Sequence, residues 1–402
     1  MSSHRVAITG FGAFCAAGRN ASQVWQSLRD GRSGIGAWDG IPGLRMPVAA
    51  RIQGYQPLEH VSERETDLLD LFAQFALIAA REAVKHSGIE LTQSIQENGA
   101  VITGCAVGGK TTEDDGFVDL YRKDKSRLHP MVVPRTMANA AASIVATEFG
   151  LTGPSFNFAT ACASSNHALA HGYRMVRSGE LEVAIVGGSE APFSYGHLKA
   201  WEALRVVAPD TCRPFSQGRR GMVLGEGSGM LVLEPFEAAK ARGATIYAEI
   251  VGAGMSADAH HITQPTVEGP SRAICAALRS AAIPPTAVGY INGHGTGTLA
   301  NDATETAAIR TVFGDHADFI AVSSSKAVLG HTLGAAGALE AIATTMSLYE
   351  GVLPPNANYL APDPDCDLDL ILGMARPTDA EYALSNSFAF GGLNAVVAFR
   401  RV

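Results

Sequence analysis

The chain carries little charge of either sign and few aromatic side chains. Charged residues make up 17% of its 402 residues, aromatic residues make up 7%, and the formal net charge is -8 at pH 7. A basic surface that binds nucleic acid without sequence preference is therefore not expected. Hydrophobic residues make up 47%. A chain of this length and composition is expected to fold around a sizeable core.

The sequence also lacks paired cysteines and long uninterrupted apolar runs. Its six cysteines are scattered without a Cys-x-x-Cys pair, which argues against a common zinc-ligand spacing and against a disulfide-rich secreted scaffold. The most apolar long stretch, residues 68–83, is interrupted by Asp70, Gln74 and Arg81, so it predicts a buried helix and not a membrane span. The first ten residues predict a strand and a glycine turn, not a signal peptide. We expect a cytoplasmic protein.

Short apolar runs alternate with longer stretches of helical character. The predicted strands are residues 6–10, 100–104, 183–188, 230–233, 290–293 and 383–387. The predicted helices are residues 22–30, 67–86, 164–178, 268–282, 302–313 and 335–350. This alternation predicts an α/β fold with buried sheets. A strand at 246–251 begins a second α/β series, which predicts two related halves, residues 1–245 and 246–402.

One cysteine, Cys162, lies in the segment Thr-Ala-Cys-Ala-Ser before a helix-compatible run. The positive end of a helix dipole stabilises a thiolate, and free N–H groups there can hold an oxyanion. A buried structural cysteine is a common alternative. His167 and His171 follow at a spacing that can hold zinc, but there is no His-Glu-x-x-His pattern. We therefore expect no metal at these two histidines.

Two histidines and a lysine stand in segments of small residues far downstream. His294 lies in His-Gly-Thr-Gly-Thr, His331 lies in Gly-His-Thr-Leu-Gly, and Lys326 follows three serines. Neutral imidazoles can donate hydrogen bonds to the enolate oxygen that forms when a malonyl thioester loses carbon dioxide. A buried lysine needs a partner, and the expected one is Glu305. With Cys162, these residues predict a distributed site that forms carbon–carbon bonds on thioesters.

These segments resemble the β-ketoacyl-acyl-carrier-protein synthases, the elongating class of the thiolase-like superfamily, and the resemblance runs from residue 6 to residue 400. The matching segments include Arg-Pro-Phe-Ser at 213–216, Val-Leu-Gly-Glu-Gly at 223–227 and Asn-Ser-Phe-Ala-Phe-Gly-Gly at 386–392, beside those already quoted. The resemblance implies a thiolase-like fold with two α/β halves in an αβαβα layering. It also implies decarboxylative condensation of an acyl-enzyme with malonyl carrier protein, no cofactor and a homodimer. The phosphopantetheine arm arrives on the acyl carrier protein.

The resemblance implies a role for each central residue. Cys162 accepts the acyl chain, and His294 and His331 assist decarboxylation. Lys326 and Glu305 support the second histidine, His331. The sequence does not decide whether a structural monovalent cation is present.

A gate beside the thiol is implied by the same resemblance. Phe388 and Phe390 match its aromatic residues, the N–H group of Phe390 is expected in the oxyanion hole, and Asp258 matches a loop that moves with the gate. Two residues depart from the family pattern. Ala389 and Leu393 stand where glycine and threonine are usual, and the loss of glycine is expected to stiffen the gate.

Substrate and carrier contacts complete the expectations. Thr296 and Thr298 are expected to bind the pantetheine amides, and Val107 is expected near the acyl tunnel. Acidic residues occupy a stretch that is basic in the housekeeping enzymes, namely Glu63, Glu65, Asp67 and Asp70. They either repel an acidic carrier or form an ordinary helix start. Carrier docking is then expected at Lys125, Arg127 and Arg205.

Segments 201–216 and 300–309 are most similar to nodulation-type synthases, which build unusual, often polyunsaturated acyl chains, and related synthases make polyenes. Other classes fit less well. A thiolase would carry a second cysteine within 386–394, a starter-condensing synthase would have asparagine at 331, and a chain-length factor would lack Cys162. A cysteine hydrolase would not explain Lys326. The chain remains compatible with the active half of a ketosynthase/chain-length-factor heterodimer.

Overall fold

The computed structural model describes residues 3–38, 40–41 and 43–402, and within them fifteen strands and fourteen helices alternate along the chain. The strands are β1 (Val6–Cys15), β2 (Gly36–Ala37), β3 (Val48–Ala49), β4 (Gly99–Gly104), β5 (Ser155–Phe158), β6 (Val183–Glu190), β7 (Gly227–Pro235), β8 (Ala248–Ala257), β9 (Val288–Asn292), β10 (Ala321–Ser323), β11 (Val352–Leu353), β12 (Asp369–Leu370), β13 (Arg376–Pro377), β14 (Tyr382–Ala389) and β15 (Leu393–Arg400). The helices are α1 (Ala21–Arg29), α2 (Glu63–Leu68), α3 (Leu71–Ser87), α4 (Gln93–Asn98), α5 (Lys110–Tyr121), α6 (Val132–Thr136), α7 (Ala140–Phe149), α8 (Ser164–Ser178), α9 (Tyr195–Leu204), α10 (Phe236–Ala241), α11 (Glu268–Ala281), α12 (Leu299–Phe313), α13 (Lys326–Leu329) and α14 (Ala336–Glu350).

The two halves of the chain share one strand order. The first half has the order β1-β7-β6-β4-β5, and the second half has the order β8-β15-β14-β9-β10. The pairing directions also match, because the first two pairs in each series are antiparallel and the last two are parallel. A short antiparallel ladder between β1 and β8 joins the two series into one sheet. The predicted boundary at residues 245–246 lies in the connection between α10 and β8.

Helices lie on both sides of each strand series. Helices α3 and α7 cover the outer face of the first series, and α11 packs on the second series with α12 beside it. Helices α8 and α14 pack against each other and against strands of both series. Apolar strands covered on both faces have no side open to water, which explains why they read as continuous hydrophobic runs. The predicted α/β fold with αβαβα layering is confirmed.

Each predicted strand and helix overlaps an element of the structure, although fewer than half of the described elements were predicted, and α8 has the predicted bounds. The predicted helix 67–86 is wrong at its start, because Leu69 is extended and α3 begins only after Asp70. The Asp70 carboxylate is 2% exposed and accepts hydrogen bonds from the N–H groups of Phe72 and Thr112 and from the Thr112 hydroxyl. This side chain caps α3 and thereby separates it from α2.

No helix in the described part of the chain is long and apolar enough to cross a membrane.

Candidate active site

Cys162 sits in a tight turn between β5 and α8. Residues Ala161–Ala163 form a single 3-10 turn, and Ala161 has a left-handed φ of 48°. The Ser164 hydroxyl closes this turn, because it accepts from the Thr160 N–H at 2.9 Å and donates to the Ala161 carbonyl at 2.7 Å. A left-handed alanine costs conformational energy that the surrounding contacts must offset. The turn aims the Cys162 sulfur into a buried pocket, where the residue is 6% exposed.

His331 lies directly opposite the thiol. Its Nε2 atom is 3.1 Å from Cys162 Sγ, and its Nδ1 atom accepts a hydrogen bond from the Leu333 N–H at 3.3 Å. Because Nδ1 accepts, we assign the ring proton to Nε2, which faces the sulfur. Gly330 has a left-handed φ of 67°, and a Cβ atom there would approach the Ala50 Cβ to 2.5 Å. Glycine at 330 therefore allows the close turn that places His331.

His294 lies beside His331, and the centroids of the two rings are 5.5 Å apart. The Lys326 Nζ atom lies 3.2 Å from His294 Nδ1. An ammonium group can only donate, so His294 Nδ1 accepts and its proton is assigned to Nε2. Each of the two imidazoles therefore has one N–H group available to a ligand.

The expectation that Lys326 pairs with Glu305 and that the two fix His331 is wrong, because both residues contact His294 instead. Lys326 forms a buried ion pair with Glu340 of α14, and both side chains are 1% exposed. Glu305 instead accepts the N–H groups of His294 and Gly295, each at 2.8 Å, and the Asn386 side-chain amide at 3.1 Å. Glu305 lies on α12, which follows the loop that contains these two residues, and its carboxylate accepts the N–H groups of that loop. Glu305 thus positions His294, while Glu340 neutralises Lys326.

Burial dominates the electrostatics of these groups. Burial and the positive charge of Lys326 hold the pKa of both His294 and His331 well below the usual histidine value, so both rings are neutral. Burial also raises the pKa of the Cys162 thiol, against the opposing effects of Lys326 and of the backbone N–H groups of Phe390 and Cys162. A thiolate stabilised by the helix start was expected, but in this closed pocket the thiol is the resting form.

The residues expected to form the gate lie beside the thiol. Phe388, Phe390 and Ala389 line the same pocket as Cys162. Asp258 accepts hydrogen bonds from the Asn394 amide at 2.7 Å and the Thr266 N–H at 2.9 Å, and its own N–H donates to the Gly392 carbonyl. The loop after β8 is thereby tied to the turn between β14 and β15.

The pocket at the thiol has a volume of about 100 Å³. Thr296 and Thr298 line it, and their hydroxyl groups are 2.9 Å apart. Val107 does not line it, and the N–H group of Val107 donates to the Glu190 carboxylate instead. The outer wall consists of residues 261–265, which the sequence reasoning missed apart from the neighbouring Asp258.

The expected docking residues lie at the surface, outside the pocket lining. Lys125 forms an ion pair with Asp119 at 2.7 Å, and Arg127 is exposed. Arg205 is exposed in a left-handed conformation at the end of α9, next to Val206 in the pocket wall.

Of the two interpretations of the acidic stretch, an ordinary helix start applies to two of its four residues. Glu65 caps α2 and pairs with Arg81, and Asp70 is buried at the start of α3, so both serve helix starts. Glu63 and Asp67 are exposed.

Two groups of atoms invite comparison with a metal site. Cys162, His294 and His331 place their ligand atoms within 4.8 Å of one another, but the nearby Lys326 ammonium repels a cation. Several buried oxygens on other residues have no hydrogen-bond partner in the described part of the chain, among them Asn292 Oδ1, Glu340 Oε2, Ser385 Oγ and Asn386 Oδ1. Oxygen donors of this kind suit water or a hard cation. The Nδ1 atom of His167 lies 3.0 Å from both the Thr160 hydroxyl and the Ala163 carbonyl oxygen, so this ring nitrogen is engaged in local hydrogen bonds.

Glu340 is the site residue that the sequence reasoning missed most clearly. It is the single charged side chain in the apolar run from residue 335 to residue 348. A carboxylate in a buried helix requires a cationic partner. That pattern was the available signal for the pair with Lys326.

The similarity of the chain to known protein families agrees with this geometry. The family described as "Beta-ketoacyl synthase, N-terminal domain" matches residues 3–239, and "Beta-ketoacyl synthase, C-terminal domain" matches residues 247–360. The chain belongs to the β-ketoacyl synthase family. This synthase is therefore a condensing enzyme of the acyltransferase class.

The chain is similar over its whole length to two curated relatives and to one solved structure. It is 47% identical over 400 residues to "Nodulation protein E" of Rhizobium sp. (strain N33), with 99% of each chain covered. It is 37% identical over 406 residues to "3-oxoacyl-[acyl-carrier-protein] synthase 2" of Staphylococcus aureus (strain COL), with 99% of this chain and 98% of the relative covered. The solved structure "The ishigamide ketosynthase/chain length factor" has a TM-score of 0.94 at 33% identity, with 100% of both chains covered.

Proposed function

We propose that the synthase joins an acyl group on Cys162 to a two-carbon unit from malonyl-acyl-carrier protein, giving 3-oxoacyl-acyl-carrier protein. One observation carries this proposal: the N–H groups of two neutral imidazoles, His294 and His331, converge on the thiol. Such a pair suits a developing enolate oxygen, because neutral donors stabilise that charge without first transferring a proton.

The first half-reaction transfers the acyl group. The Cys162 sulfur attacks the thioester carbonyl of the acyl carrier, and the N–H groups of Cys162 and Phe390 hold the oxyanion. The carbon–sulfur bond to the carrier then breaks, and the thiol proton of Cys162 ends on the carrier thiol. The balance is one thioester exchanged for another, so the step needs no redox partner or metal.

The second half-reaction forms the carbon–carbon bond. His294 and His331 donate hydrogen bonds to the thioester oxygen of the malonyl group while carbon dioxide leaves. The resulting carbanion attacks the acyl carbonyl, and Cys162 departs as a thiolate that regains a proton. Lys326 donates to His294 Nδ1 and so keeps the ring proton on Nε2, and Glu305 holds the backbone N–H group of His294. Thr296 and Thr298 line the route and bind the pantetheine amides.

The partner proposed for both half-reactions is an acyl carrier protein, supported by the name of the staphylococcal relative. We propose docking at Lys125, Arg127 and Arg205, a homodimer, a cytoplasmic location and no resident cofactor. A heterodimer with a chain-length factor is the second candidate, supported by the structural similarity to the ishigamide ketosynthase/chain length factor. A specialised pathway is favoured over general fatty-acid synthesis, since identity to the nodulation protein is 47% against 37% to the general synthase.

Mass spectrometry of carrier-bound products tests the proposal. The purified synthase receives malonyl carrier protein with saturated and 2-unsaturated acyl carriers, beside a Cys162→Ala control. Two-carbon extension is expected only with Cys162 present. Preference for unsaturated primers would support the specialised pathway, and preference for saturated primers would indicate general fatty-acid synthesis. If a folded wild-type protein extended no primer, either alone or with a chain-length factor added, the proposed reaction would be wrong.

A further inference from the structure

An indole ring, that of Trp201 on α9, lies behind the aromatic gate. Trp201 and Phe390 stack with ring centroids 6.0 Å apart and ring planes inclined by 22°. Phe390 also lines the pocket that contains Cys162, so the gate ring has the thiol pocket on one side and the indole on another. Trp201 itself does not line the pocket, so it acts on the site through neighbours that do, among which Phe390 stacks on the indole.

The indole is held in place by polar and apolar contacts. Its Nε1–H donates to His197 Nε2 at 2.9 Å, and burial lowers the pKa of His197, which keeps this ring neutral and able to accept. Trp201 is 8% exposed within an apolar cluster that includes Phe193, Leu198 and Met222. A ring fixed at both its edge and its face has one preferred orientation. It can therefore serve as a rigid support for its neighbour.

The pocket at the thiol is small, so the position of Phe390 affects which acyl chains can enter it. A cavity of about 150 Å³ in an apolar core holds a molecule the size of benzene. The pocket at Cys162 has about 100 Å³, which leaves no room for a long acyl chain. An acyl chain on Cys162 therefore requires side chains around the thiol to move. Phe390 lies beside the thiol and, like Val206 and Met222, belongs both to the pocket wall and to the apolar cluster around Trp201, so its displacement would open the pocket toward that cluster.

Resting on the proposed function, we propose that Trp201 is a positioning residue that sets acyl selectivity by holding the Phe390 gate closed through ring stacking. A long acyl chain must displace Phe390 from the indole, whereas a short one fits with less displacement. The stack therefore opposes long chains more than short ones. His197 strengthens the effect by fixing the indole edge.

The test compares acylation of Cys162 by hexanoyl and hexadecanoyl carrier proteins, followed by intact-protein mass spectrometry on the millisecond-to-second scale. Trp201→Leu keeps an apolar side chain but removes the stack. The ratio of the hexadecanoyl rate to the hexanoyl rate should rise by about 2- to 10-fold, the range that corresponds to the loss of one aromatic pair. Trp201→Phe retains a ring for the stack but loses the Nε1–H bond to His197, so its ratio should rise less than that of Trp201→Leu and match that of His197→Ala.

Two further variants separate gating from a general structural effect. Trp38→Ala removes another indole of the same apolar cluster, one that packs edge-on against Phe193 at 5.4 Å, and should leave the ratio unchanged. His197→Ala frees the indole edge and should raise the ratio of the two acylation rates by less than Trp201→Leu does. If Trp201→Leu does not fold, the ratio measured for His197→Ala tests the positioning role in its place. Equal loss of both rates in the folded Trp201 and His197 variants would overturn the positioning role. If the wild-type synthase acylated Cys162 from neither carrier, the proposed function would fail with it.

Discussion

At the scale of single residues, the buried lysine shows how far sequence reasoning reaches. The motifs predicted that Cys162, His294, His331 and Lys326 meet, and in the structure they do. The charge partner of Lys326 was not predictable from spacing, because Glu305 and Glu340 are both on helices near the site in the chain. Which of them faces the ammonium depends on how α12 and α14 pack. Side-chain direction across the core is thus the part that the motifs leave undetermined.

Removal of the carboxylate from the buried pair should destabilise the synthase strongly. Glu340→Gln leaves the Lys326 ammonium buried without a counter-charge, and an unpaired charge of this kind costs about 3–5 kcal/mol. Urea unfolding measures the change. Lys326→Met combined with Glu340→Leu should recover most of the stability but not malonyl decarboxylation, because the contact to His294 Nδ1 is gone. Lys123→Ala, at an exposed pair with Asp119, is the control and should cost less than about 1 kcal/mol.

The depressed histidine pKa values predict the pH profile of decarboxylation. Burial and Lys326 favour the neutral rings, so His294 and His331 take up a proton only well below the ordinary value of 6.5. In Cys162→Ala, which cannot accept an acyl group, malonyl decarboxylation should persist, and its acidic limb should lie below pH 6.5. Measurement of kcat/KM from pH 5 to pH 8 tests this. A midpoint at or above 6.5, or full activity in His294→Ala and His331→Ala, would contradict these roles.

At the scale of elements, periodicity identified the helices and strands better than it identified their ends. Residues 164–178 form a helix with the predicted bounds, since small and apolar residues there face two strand series. Residues 67–86 were predicted to form one helix because the sequence pattern is compatible with Asp70 on the solvent-facing side of that helix. In the fold its carboxylate turns inward to Thr112 and starts α3. The distant partner at Thr112, which local sequence does not reveal, decides that boundary.

Replacement of Asp70 should therefore have a cost that its neighbour does not share. Asp70→Ala removes the cap of α3 and leaves the buried Thr112 groups unpaired, so the free energy of unfolding should fall by about 2–4 kcal/mol. Asp67→Ala, at an exposed position of α2, should change it by less than about 0.5 kcal/mol. Thermal or urea unfolding of the two variants gives the comparison. Equal effects would mean that Asp70 does not act as the cap.

At the scale of the whole molecule, β5 is the last strand at one end of the sheet among the described residues. The carbonyl groups of Pro154 and Phe158 bond to β4, so those of the alternate residues Ser155 and Asn157 face outward. An open edge of this kind can pair with another strand. We propose this edge as the contact between two copies of the synthase. The same edge would serve a chain-length factor in the heterodimer.

Proline at the outward-facing position should then disrupt assembly without harming the sheet. Ser155→Pro removes an N–H group that points away from β4, so the internal ladder is retained. Light scattering after size-exclusion chromatography should show a lower mass than for the wild type. Ser155→Ala keeps the N–H group and should retain the wild-type mass. An unchanged mass for the folded proline variant would exclude β5 as the contact.

The common strand order of the two halves extends to their active-site turns. Ala161 begins the 3-10 turn before α8 with a φ of 48°, and Leu333 begins the matching turn before α14 with a φ of 46°. Cys162 then corresponds to Gly334, where a Cβ atom would come within 2.5 Å of the Ala106 nitrogen. In evolutionary terms, a duplicated unit has diverged by dividing its labour. One copy supplies a nucleophile at the turn, and the other, where the crowded Gly334 leaves no room for a side chain, supplies histidines and a lysine.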